Sequence, residues 1–251
     1  MTTGKPRIGG RIVRLEATPS TIDEARRLAR EGAEHGMVVL AERQTAGRGR
    51  RGRSWTTLPG RSLAGTVILR EQPEPAHAAL AGMAAALAVV AAAAETLGVP
   101  LRTKWPNDVV SGGRKVAGTL AEVAGDALLL SIGLNVGGRE SDLPPDLRGT
   151  ATTLEMIAGR PVDRDVVIAA VLSALDGLWS VLLQDPADLL RRWDEVDVTR
   201  GAALTVTESE RRFGGVGLGV DAHGQLLVRL ADGRTATFAA GDVTLQPQPL
   251  A

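Results

Sequence analysis

The 251-residue sequence contains no cysteine. This absence excludes disulfides, thiolate metal sites and a cysteine nucleophile. Histidine is also rare, since only His35, His77 and His223 occur and they are scattered along the chain. No G-x-S-x-G sequence and no metal-ligand spacing is present. An enzyme built from this chain is therefore not expected to use a serine–histidine or cysteine–histidine nucleophile.

Aromatic residues are also rare, and the net charge is zero. The chain has four tryptophans, two phenylalanines and no tyrosine, so its core must consist mainly of Val, Leu, Ile and Ala. The 29 basic residues equal the 29 acidic ones, which leaves no overall field that favours nucleic acid or an anionic membrane. The N-terminal residues lack the apolar segment of a signal peptide. These features predict a soluble cytoplasmic protein.

One long uncharged segment, 78–94, could suggest a membrane span. It consists mostly of alanine, is short for a span, and offers little apolar area per residue. Because alanine is the strongest helix former, the segment predicts a helix that is buried closely under a sheet.

Apolar periodicity predicts alternating helices and strands up to about residue 198. Helices are expected at about 21–34, 75–97, 163–183 and 186–196, and strands at 37–42, 62–70, 101–105, 115–123 and 127–136. Thr21 and Glu24 have the spacing of a capping box at the first helix start. After Arg200 the pattern changes to five short β-like runs separated by glycine turns. The sequence thus predicts a domain of residues 1–198 with helices and strands, followed by a small β-barrel domain of residues 199–251.

The segment 43–61 is an irregular loop, here called the arginine–glycine loop. Five arginines and three glycines lie between Arg43 and Arg53. Glycine lets the backbone approach a ligand closely, and arginine offers a planar charged fork that suits phosphate oxygens. Residues 47–52 match G-x-G-x-x-G, but no helix follows, which disfavours a dinucleotide-binding turn. The composition is also compatible with a nucleic-acid arm or a solvated surface loop, and a clamp for a phosphorylated ligand or adenylate is favoured over both.

Three further motifs place polar residues next to apolar strands, at 104–108, 115–120 and 133–135. Taken singly, each has an ordinary structural explanation: an Asx turn after a strand, a strand that begins with a solvated lysine, and a hydrogen-bonded buried asparagine. Together with the loop they supply lysines, arginines and an aspartate. Such groups suit phosphoryl-type chemistry, which depends on positioning and charge neutralisation. ATP-dependent activation of a carboxylate would need these cations, Mg²⁺ and a shielded pocket.

The motifs GRGRRGRSW, KWPND, KVAGTL and GLNV, in this order and spacing, resemble the catalytic domain of biotin protein ligases. Residues 219–224 and 241–245 are similar to the small SH3-like domain of that family, so the resemblance covers nearly the whole chain from about Thr18. It implies an α+β fold, in which helices pack on the mixed sheet of a biotin/lipoate ligase domain and a small SH3-like β-barrel follows. The implied reaction is ATP-dependent biotinylation of a lysine on a biotin carboxyl carrier domain of acetyl-CoA carboxylase or a related acyl-CoA carboxylase. Biotinyl-5′-AMP would be the intermediate, with release of pyrophosphate and participation of Mg²⁺.

The resemblance implies catalytic roles for five charged residues. Lys104 and Lys115 would neutralise phosphate and carboxylate charge during adenylation. Arg50 would cover the adenylate, and Arg53 would meet the phosphates of ATP. Asp108 would lie near Mg²⁺, as its expected protein ligand, or near the acceptor lysine. These roles agree with elementary electrostatics, because the carboxylate of biotin and ATP repel each other unless cations converge on them.

The implied ligand-binding residues are small, polar or aromatic and come from every motif. They are Ser20, Thr21, Gln44, Gly47, Arg48, Gly49, Trp55, Asn107, Gly118, Gly133 and Asn135. The first three and Arg48 would surround the ureido end of biotin. Trp55 would pack against the ligand, Gly118 would allow close approach of the backbone to biotin, and Asn135 would contact adenine.

The sequence departs from the family pattern at three points. Ile22 stands where the family usually has asparagine, and Gln246 stands where some relatives have arginine, which puts one polar contact and one ATP contact in doubt. The chain begins almost directly with the catalytic motifs, so we expect neither an N-terminal helix-turn-helix nor binding to operator DNA.

Two alternatives to a biotin ligase remain from the sequence. One is a lipoate or octanoate ligase or transferase of the same fold, and the other is a non-enzymatic biotin-binding regulator. Neither a membrane nor a DNA partner is expected, and the chain is expected to be a monomer or a weak homodimer. The arginine–glycine loop is expected to be disordered without ligand, because five close arginines repel one another and glycines resist ordering.

Overall fold

The computed structural model describes residues 7–246. Its larger sheet has seven strands in the order β1-β2-β3-β7-β6-β5-β4. Strands β1 and β2 are parallel, and the other neighbours are antiparallel, which confirms the expected mixed sheet. The strands are β1 (Ile12–Thr18), β2 (Val38–Gln44), β3 (Ser62–Leu69), β4 (Arg102–Lys104), β5 (Asp108–Ser111), β6 (Arg114–Ala124) and β7 (Ala127–Asn135).

Helices cover both faces of this sheet. They are α1 (Thr21–Arg30), α2 (Leu80–Leu97), α3 (Leu154–Ala158), α4 (Arg164–Gln184) and α5 (Pro186–Val196). On one face α1 buries Ile22 and Ala25 in an apolar cluster with Ile68. On the other face α2 and α4 pack on each other and on the main core, which contains Val67 and Leu69. Successive residues of β3 therefore point to opposite faces, as expected for a strand that is buried on both sides.

Helix α2 is the alanine-rich segment, and its predicted burial is confirmed. It lies close to the sheet, since Thr119 Oγ1 on β6 donates a 2.9 Å hydrogen bond to the backbone oxygen of Gly82. By length and composition, both α2 and α4 could cross a membrane. However, 67% of the most apolar 18-residue stretch of α2 is buried inside the protein, and the corresponding share of α4 is 44%. Core helices of soluble proteins pass the same test, so these two helices are weak evidence for a membrane.

A second sheet of five antiparallel strands follows, in the order β11-β10-β9-β8-β12. Its strands are β8 (Ala203–Glu208), β9 (Arg211–Val220), β10 (Leu226–Leu230), β11 (Thr235–Phe238) and β12 (Asp242–Leu245). The small all-β unit is therefore confirmed, although no ladder between residues 7 and 246 joins the edge strands β11 and β12. The domain boundary after residue 198 stays a prediction.

The turn between β9 and β10 packs against the first sheet and α2. Gly224 in this turn has a φ of +74°, and a Cβ atom there would lie 2.6 Å from Leu80 Cδ2. The backbone oxygen of Gly224 accepts a 2.9 Å hydrogen bond from Trp105 Nε1. The second sheet is thus bonded directly to the turn between β4 and β5, where the Trp105–Pro106 peptide bond is cis.

The sequence analysis missed β1, β5 and α3 and misplaced the limits of α1. Strand β1 lies at the edge of the sheet, and its residues are exposed or half-buried, so it lacks the apolar signal of the inner strands. Helix α1 ends at Arg30 rather than near residue 34, because Gly32 follows with a φ of +85°. Its N-cap is Ser20 rather than Thr21, and Ser20 Oγ accepts from Ile22 N at 3.4 Å. The capping-box prediction for Thr21 was therefore wrong.

Candidate active site

A cavity of about 300 Å³ opens between the first sheet, the start of α1, the arginine–glycine loop and strand β12. Most of the predicted site residues line it, namely Ser20, Thr21, Gln44, Arg48, Gly49, Arg50, Arg53, Trp55, Lys104, Asn107, Asp108, Lys115, Gly118 and Gly133. They converge because strands β2 to β7 are consecutive neighbours in one sheet, although their order in the sheet differs from their order in the sequence.

One end of the cavity is lined by hydroxyl and amide side chains. Thr21 donates from its backbone nitrogen and from Oγ1 to Gln44 Oε1, at 2.9 and 3.2 Å. The hydroxyls of Thr21, Thr66 and Ser131 form a chain with 2.8 Å between successive oxygens. Ser20 lies beside them as the N-cap of α1, whose dipole adds a partial positive charge. This end, here called the hydroxyl end, is suited to a neutral ligand group that both donates and accepts hydrogen bonds.

The opposite end is cationic. Lys104 and Asp108 face each other in the β4–β5 pair. Lys115 on β6 contacts the same aspartate, with 2.5 Å between Nζ and Oδ1, and its Nζ lies 5.7 Å from the centroid of the Trp55 ring. Burial lowers the pKa of Lys104, the charge of Asp108 acts in the opposite direction, and Lys115 adds to the lowering. Two ammonium groups beside one carboxylate leave an excess of positive charge that can neutralise phosphate.

Arg50 and Asn107 lie next to these lysines. Asn107 Nδ2 donates to the backbone oxygen of Thr119 at 2.5 Å, which fixes the amide, and Asn107 Oδ1 accepts a long 3.5 Å hydrogen bond from Arg50 Nη1. Burial lowers the pKa of Arg50, and the charge of Arg51 acts in the same direction. Because a guanidinium has five N–H donors, a single long bond leaves it well able to bind an anion.

Three other arginines of the loop pair with carboxylates beside the cavity. Arg48 contacts Asp23 of α1 at 2.5 Å. Arg53 and Arg51 both contact Asp242 of β12, at 2.5 and 3.3 Å. The arginine–glycine loop is thus joined to α1 on one side of the cavity and to the second sheet on the other. Its expected disorder without ligand stays a prediction.

The indole of Trp55 lies inside the cavity against the sheet. A Cβ atom at Gly133 would be 2.3 Å from Trp55 Cε2, and one at Gly118 would be 3.5 Å from Cζ3. Trp55 Nε1 is buried and has no hydrogen-bond partner among residues 7–246. Gly133 therefore makes room for the aromatic ring, whereas a Cβ atom at Gly118 would crowd Lys115 Nζ at 3.0 Å rather than the indole.

Comparison with known proteins identifies the family that has this arrangement. Residues 15–138 match the model described as the biotin/lipoate A/B protein ligase family. The chain is 33% identical over 232 residues to the biotin–[acetyl-CoA-carboxylase] ligase of Mycobacterium tuberculosis, an alignment that covers 90% of this chain and 85% of that relative. The chain belongs to the biotin protein ligase family. It is therefore a ligase, as the sequence motifs imply.

Two further proteins are similar to the ligase over most of its length. The biotin–[acetyl-CoA-carboxylase] ligase of Paracoccus denitrificans is 33% identical over 236 residues, which cover 90% of this chain and 97% of that relative. The structure of the biotin protein ligase from Aquifex aeolicus in complex with biotin and ATP has a TM-score of 0.83 at 26% identity. That match covers 95% of this chain and 99% of the other, so it includes both sheets.

Two predicted site residues of the ligase, Asn135 and Gly47, lie outside the lining of the cavity. Asn135 is buried, and its Nδ2 donates to the backbone oxygen of Thr152 at 3.2 Å, which is the ordinary role of a hydrogen-bonded buried asparagine. It lies two residues beyond Gly133, about 6.7 Å farther along β7. Its contact with adenine stays a prediction. Gly47 instead packs under the loop, since a Cβ atom there would be 2.4 Å from the backbone oxygen of Trp55.

The sequence analysis of the ligase missed two groups of cavity residues. The first group lies on strand β12 and consists of Asp242, Val243 and Thr244. Strand β12 reaches the cavity only because it pairs with β8 in the second sheet. The sequence analysis assigned this segment to the small β domain, but no local pattern marked it as part of the site. Ser131 did carry a signal, because it interrupts the apolar run of β7 two residues before Gly133 and therefore shares its face.

Proposed function

We propose that the ligase attaches biotin to a lysine of a biotin carboxyl carrier domain, with ATP as the second substrate. The observation that carries the proposal is the division of one cavity into a hydroxyl end, at Thr21 and Gln44, and a cationic end, at Lys104 and Lys115. Biotin has a neutral ureido group at one end and a carboxylate at the other, which matches this division. The similar ligase from Aquifex aeolicus, solved with biotin and ATP, supports the choice of substrates.

In the first step, the carboxylate oxygen of biotin attacks the α-phosphorus of ATP, the bond to the β-phosphate oxygen breaks, and pyrophosphate leaves. The product is biotinyl-5′-AMP, a mixed anhydride. Both reactants are anions, and the ammonium groups of Lys104 and Lys115 offset their repulsion inside a partly desolvated cavity. Arg50 covers the adenylate, and Arg53 binds the departing phosphates.

Mg²⁺ accompanies ATP in this proposal, and Asp108 is the residue that would hold it. Magnesium usually binds through one or two carboxylates together with phosphate oxygens and water, rather than through a full set of protein ligands. The donors fit this pattern, because Asp108 supplies one carboxylate to the cavity beside Lys104 and Lys115. No cluster of three or more His, Cys, Asp or Glu residues occurs in the described chain. When bound, the ion adds to the neutralisation of phosphate charge.

In the second step, the ε-amine of the acceptor lysine attacks the carbonyl carbon of the mixed anhydride, and AMP leaves. Trp55 and the arginine–glycine loop exclude water, which would otherwise hydrolyse the adenylate. The carboxylate of Asp108 can also orient the incoming amine by its charge. The acceptor is the carrier domain of acetyl-CoA carboxylase or a related acyl-CoA carboxylase, and the ligase acts in the cytoplasm as a monomer or weak homodimer that binds neither DNA nor membrane.

ATP–pyrophosphate exchange with purified protein and Mg²⁺ tests the first step, with biotin, lipoate and octanoate compared in parallel. Exchange that requires biotin is the expected result, and subsequent transfer to a purified carrier domain tests the second step. Exchange with lipoate or octanoate instead would assign the ligase to the neighbouring activity. Biotin binding without any exchange would contradict the proposed reaction and favour a biotin-binding regulator.

A further inference from the structure

Asp242 holds two arginines of the arginine–glycine loop with its two carboxylate oxygens. Its Oδ1 lies 2.5 Å from Arg53 Nη2, and its Oδ2 lies 3.3 Å from Arg51 Nη1. The aspartate is on β12, and the first of these bonds joins positions 189 residues apart. One side chain of the second sheet therefore fixes the position of the loop over the cavity.

Toward these two arginines, the carboxylate of Asp242 has the chemistry of a phosphate group of a nucleotide. Like a phosphate, it presents two anionic oxygens to guanidinium groups, and it lines the same cavity as Lys104. Burial by itself raises the pKa of Asp242, but the hydrogen bond and charge of Arg53, together with Arg51, outweigh burial and keep the pKa below its ordinary value. The group is therefore an anion at neutral pH.

The loop needs such a counter-ion in the absence of nucleotide. Its arginines repel one another, and Arg51 has a φ of +56°, in the left-handed region that a residue with a side chain rarely adopts. In this conformation Arg51 contacts Asp242. The pair is only partly shielded, since 44% of the Asp242 side chain and 62% of the Arg53 side chain is exposed, so a polyphosphate can displace the carboxylate.

We propose that Asp242 is a positioning residue that substitutes for phosphate, holding the arginine–glycine loop closed before ATP binds and again after pyrophosphate leaves, in place of the disorder without ligand that the sequence alone predicts. This inference rests on the proposed function, since it requires a nucleotide substrate. When ATP binds, its phosphate groups replace the carboxylate of Asp242 as the partner of Arg51 and Arg53. The carboxylate recaptures both arginines when pyrophosphate departs, which favours release of pyrophosphate while the loop still covers the adenylate.

The test compares the full-length protein with its Asp242→Asn variant in two measurements. The first is the Kd for ATP with Mg²⁺ and for pyrophosphate, measured calorimetrically without biotin. Because an anion that competes with phosphate is removed, both ligands should bind about fivefold more tightly to the variant. The second is trypsin cleavage at the loop arginines, which should be several-fold faster in the variant without nucleotide and equal to wild type with saturating ATP.

Asp232→Asn is the matched control, because it removes an aspartate–arginine pair of 2.6 Å in the turn between β10 and β11, outside the cavity. It should change neither measurement, whereas Asp242→Glu should restore wild-type values. A general loss of structure would weaken binding, so tighter binding is not a result that misfolding can give. If wild-type protein binds ATP and pyrophosphate but the Asp242→Asn variant binds them equally or less tightly, the proposed role of Asp242 is wrong. The proposed function is not affected by that result. Wild-type protein that binds neither ATP nor pyrophosphate would overturn the proposed function as well.

Discussion

Lys115 Nζ lies 2.5 Å from Oδ1 of Asp108, so this lysine has a carboxylate partner before any ligand binds. The two side chains are 38% and 25% exposed, and ion pairs of this kind contribute little net stability. A ligand carboxylate or phosphate can therefore take over Lys115 at small energetic cost. The pair keeps the ammonium group directed into the cavity until that happens.

Replacement of Lys115 by alanine should abolish formation of the adenylate. We expect a loss of about 100-fold to 1,000-fold in biotin-dependent ATP–pyrophosphate exchange, because one preorganised charge at the reacting phosphate is removed. Biotin binding should survive in part, since the hydroxyl end is unchanged. Lys115→Arg, which keeps the charge, should retain measurable exchange. Unimpaired exchange in Lys115→Ala would remove this lysine from the mechanism.

Gly133→Ala should displace the indole of Trp55. The added methyl group would lie 2.3 Å from Trp55 Cε2, so the ring must move. We expect a destabilisation of about 1–3 kcal/mol and weaker biotin binding, measured by chemical denaturation and calorimetry. Gly177→Ala is the control, because nothing lies within 4 Å of its Cβ position in α4, and it should stabilise the protein by about 0.5–1 kcal/mol. Equal effects of the two substitutions would contradict the packing of Trp55 against β7.

Thr66→Val should impair the recognition of biotin without impairing the chemistry. The substitution interrupts the hydroxyl chain between Thr21 and Ser131, and it should cost about 1–3 kcal/mol of stability because buried hydroxyls lose a partner. The KM for biotin should rise while kcat changes little. The control is Thr103→Val, since Thr103 Oγ1 is buried without a partner among the described residues, and its removal should not lower stability. A fall in kcat with an unchanged KM would contradict the role of this end in binding.

The pH dependence of exchange should report the protonation of Lys104. Burial lowers its pKa from the usual 10.5, so the cationic form is lost at a lower pH than for an exposed lysine, and exchange should decline on the alkaline side accordingly. Lys104→Arg should move this decline to higher pH, because arginine keeps its charge. A decline at the same pH in both proteins would assign it to another group.

The same shift affects stability with a defined sign. The folded protein binds the Lys104 proton less tightly than the unfolded chain does, so burial of the charged amine lowers the free energy of unfolding. This loss of stability is complete below the folded pKa. It disappears as the pH rises from the folded pKa to the unfolded pKa. Lys104→Met should therefore raise the midpoint of thermal unfolding at neutral pH.

Local patterns were sufficient to predict the strands and motifs that carry the lysines. Lys104 ends a short strand just before a proline turn, and Lys115 lies at the start of a long apolar hairpin, so both signals are contained within a few residues. Only the order of the strands in the sheet brings the two lysines to one carboxylate. The family resemblance supplied this information, which spacing alone does not contain.

Contacts between distant segments were not predictable. Asp242 meets Arg53 across 189 positions, and no periodicity links the two. Strand β1 was missed for a different reason, because Arg14 and Glu16 on this exposed edge strand interrupt the continuous apolar run that marks the inner strands. Asn135 illustrates a third limit, since a polar residue in an apolar run is compatible both with a ligand contact and with a buried hydrogen bond.

The packing of the second sheet against the first has a consequence for when the enzyme becomes active during its synthesis. Synthesis proceeds from the N-terminus, and domains fold as they emerge. The turn that presents Asn107 and Asp108 is bonded through Trp105 to Gly224, and the wall of the cavity is completed by Asp242 and its neighbours on the final strand. A nascent chain that already contains every lysine of the site therefore lacks a finished site. If the proposed function holds, adenylating activity should begin only after residues 242–244 have left the ribosome, so a shorter nascent chain cannot form the reactive intermediate.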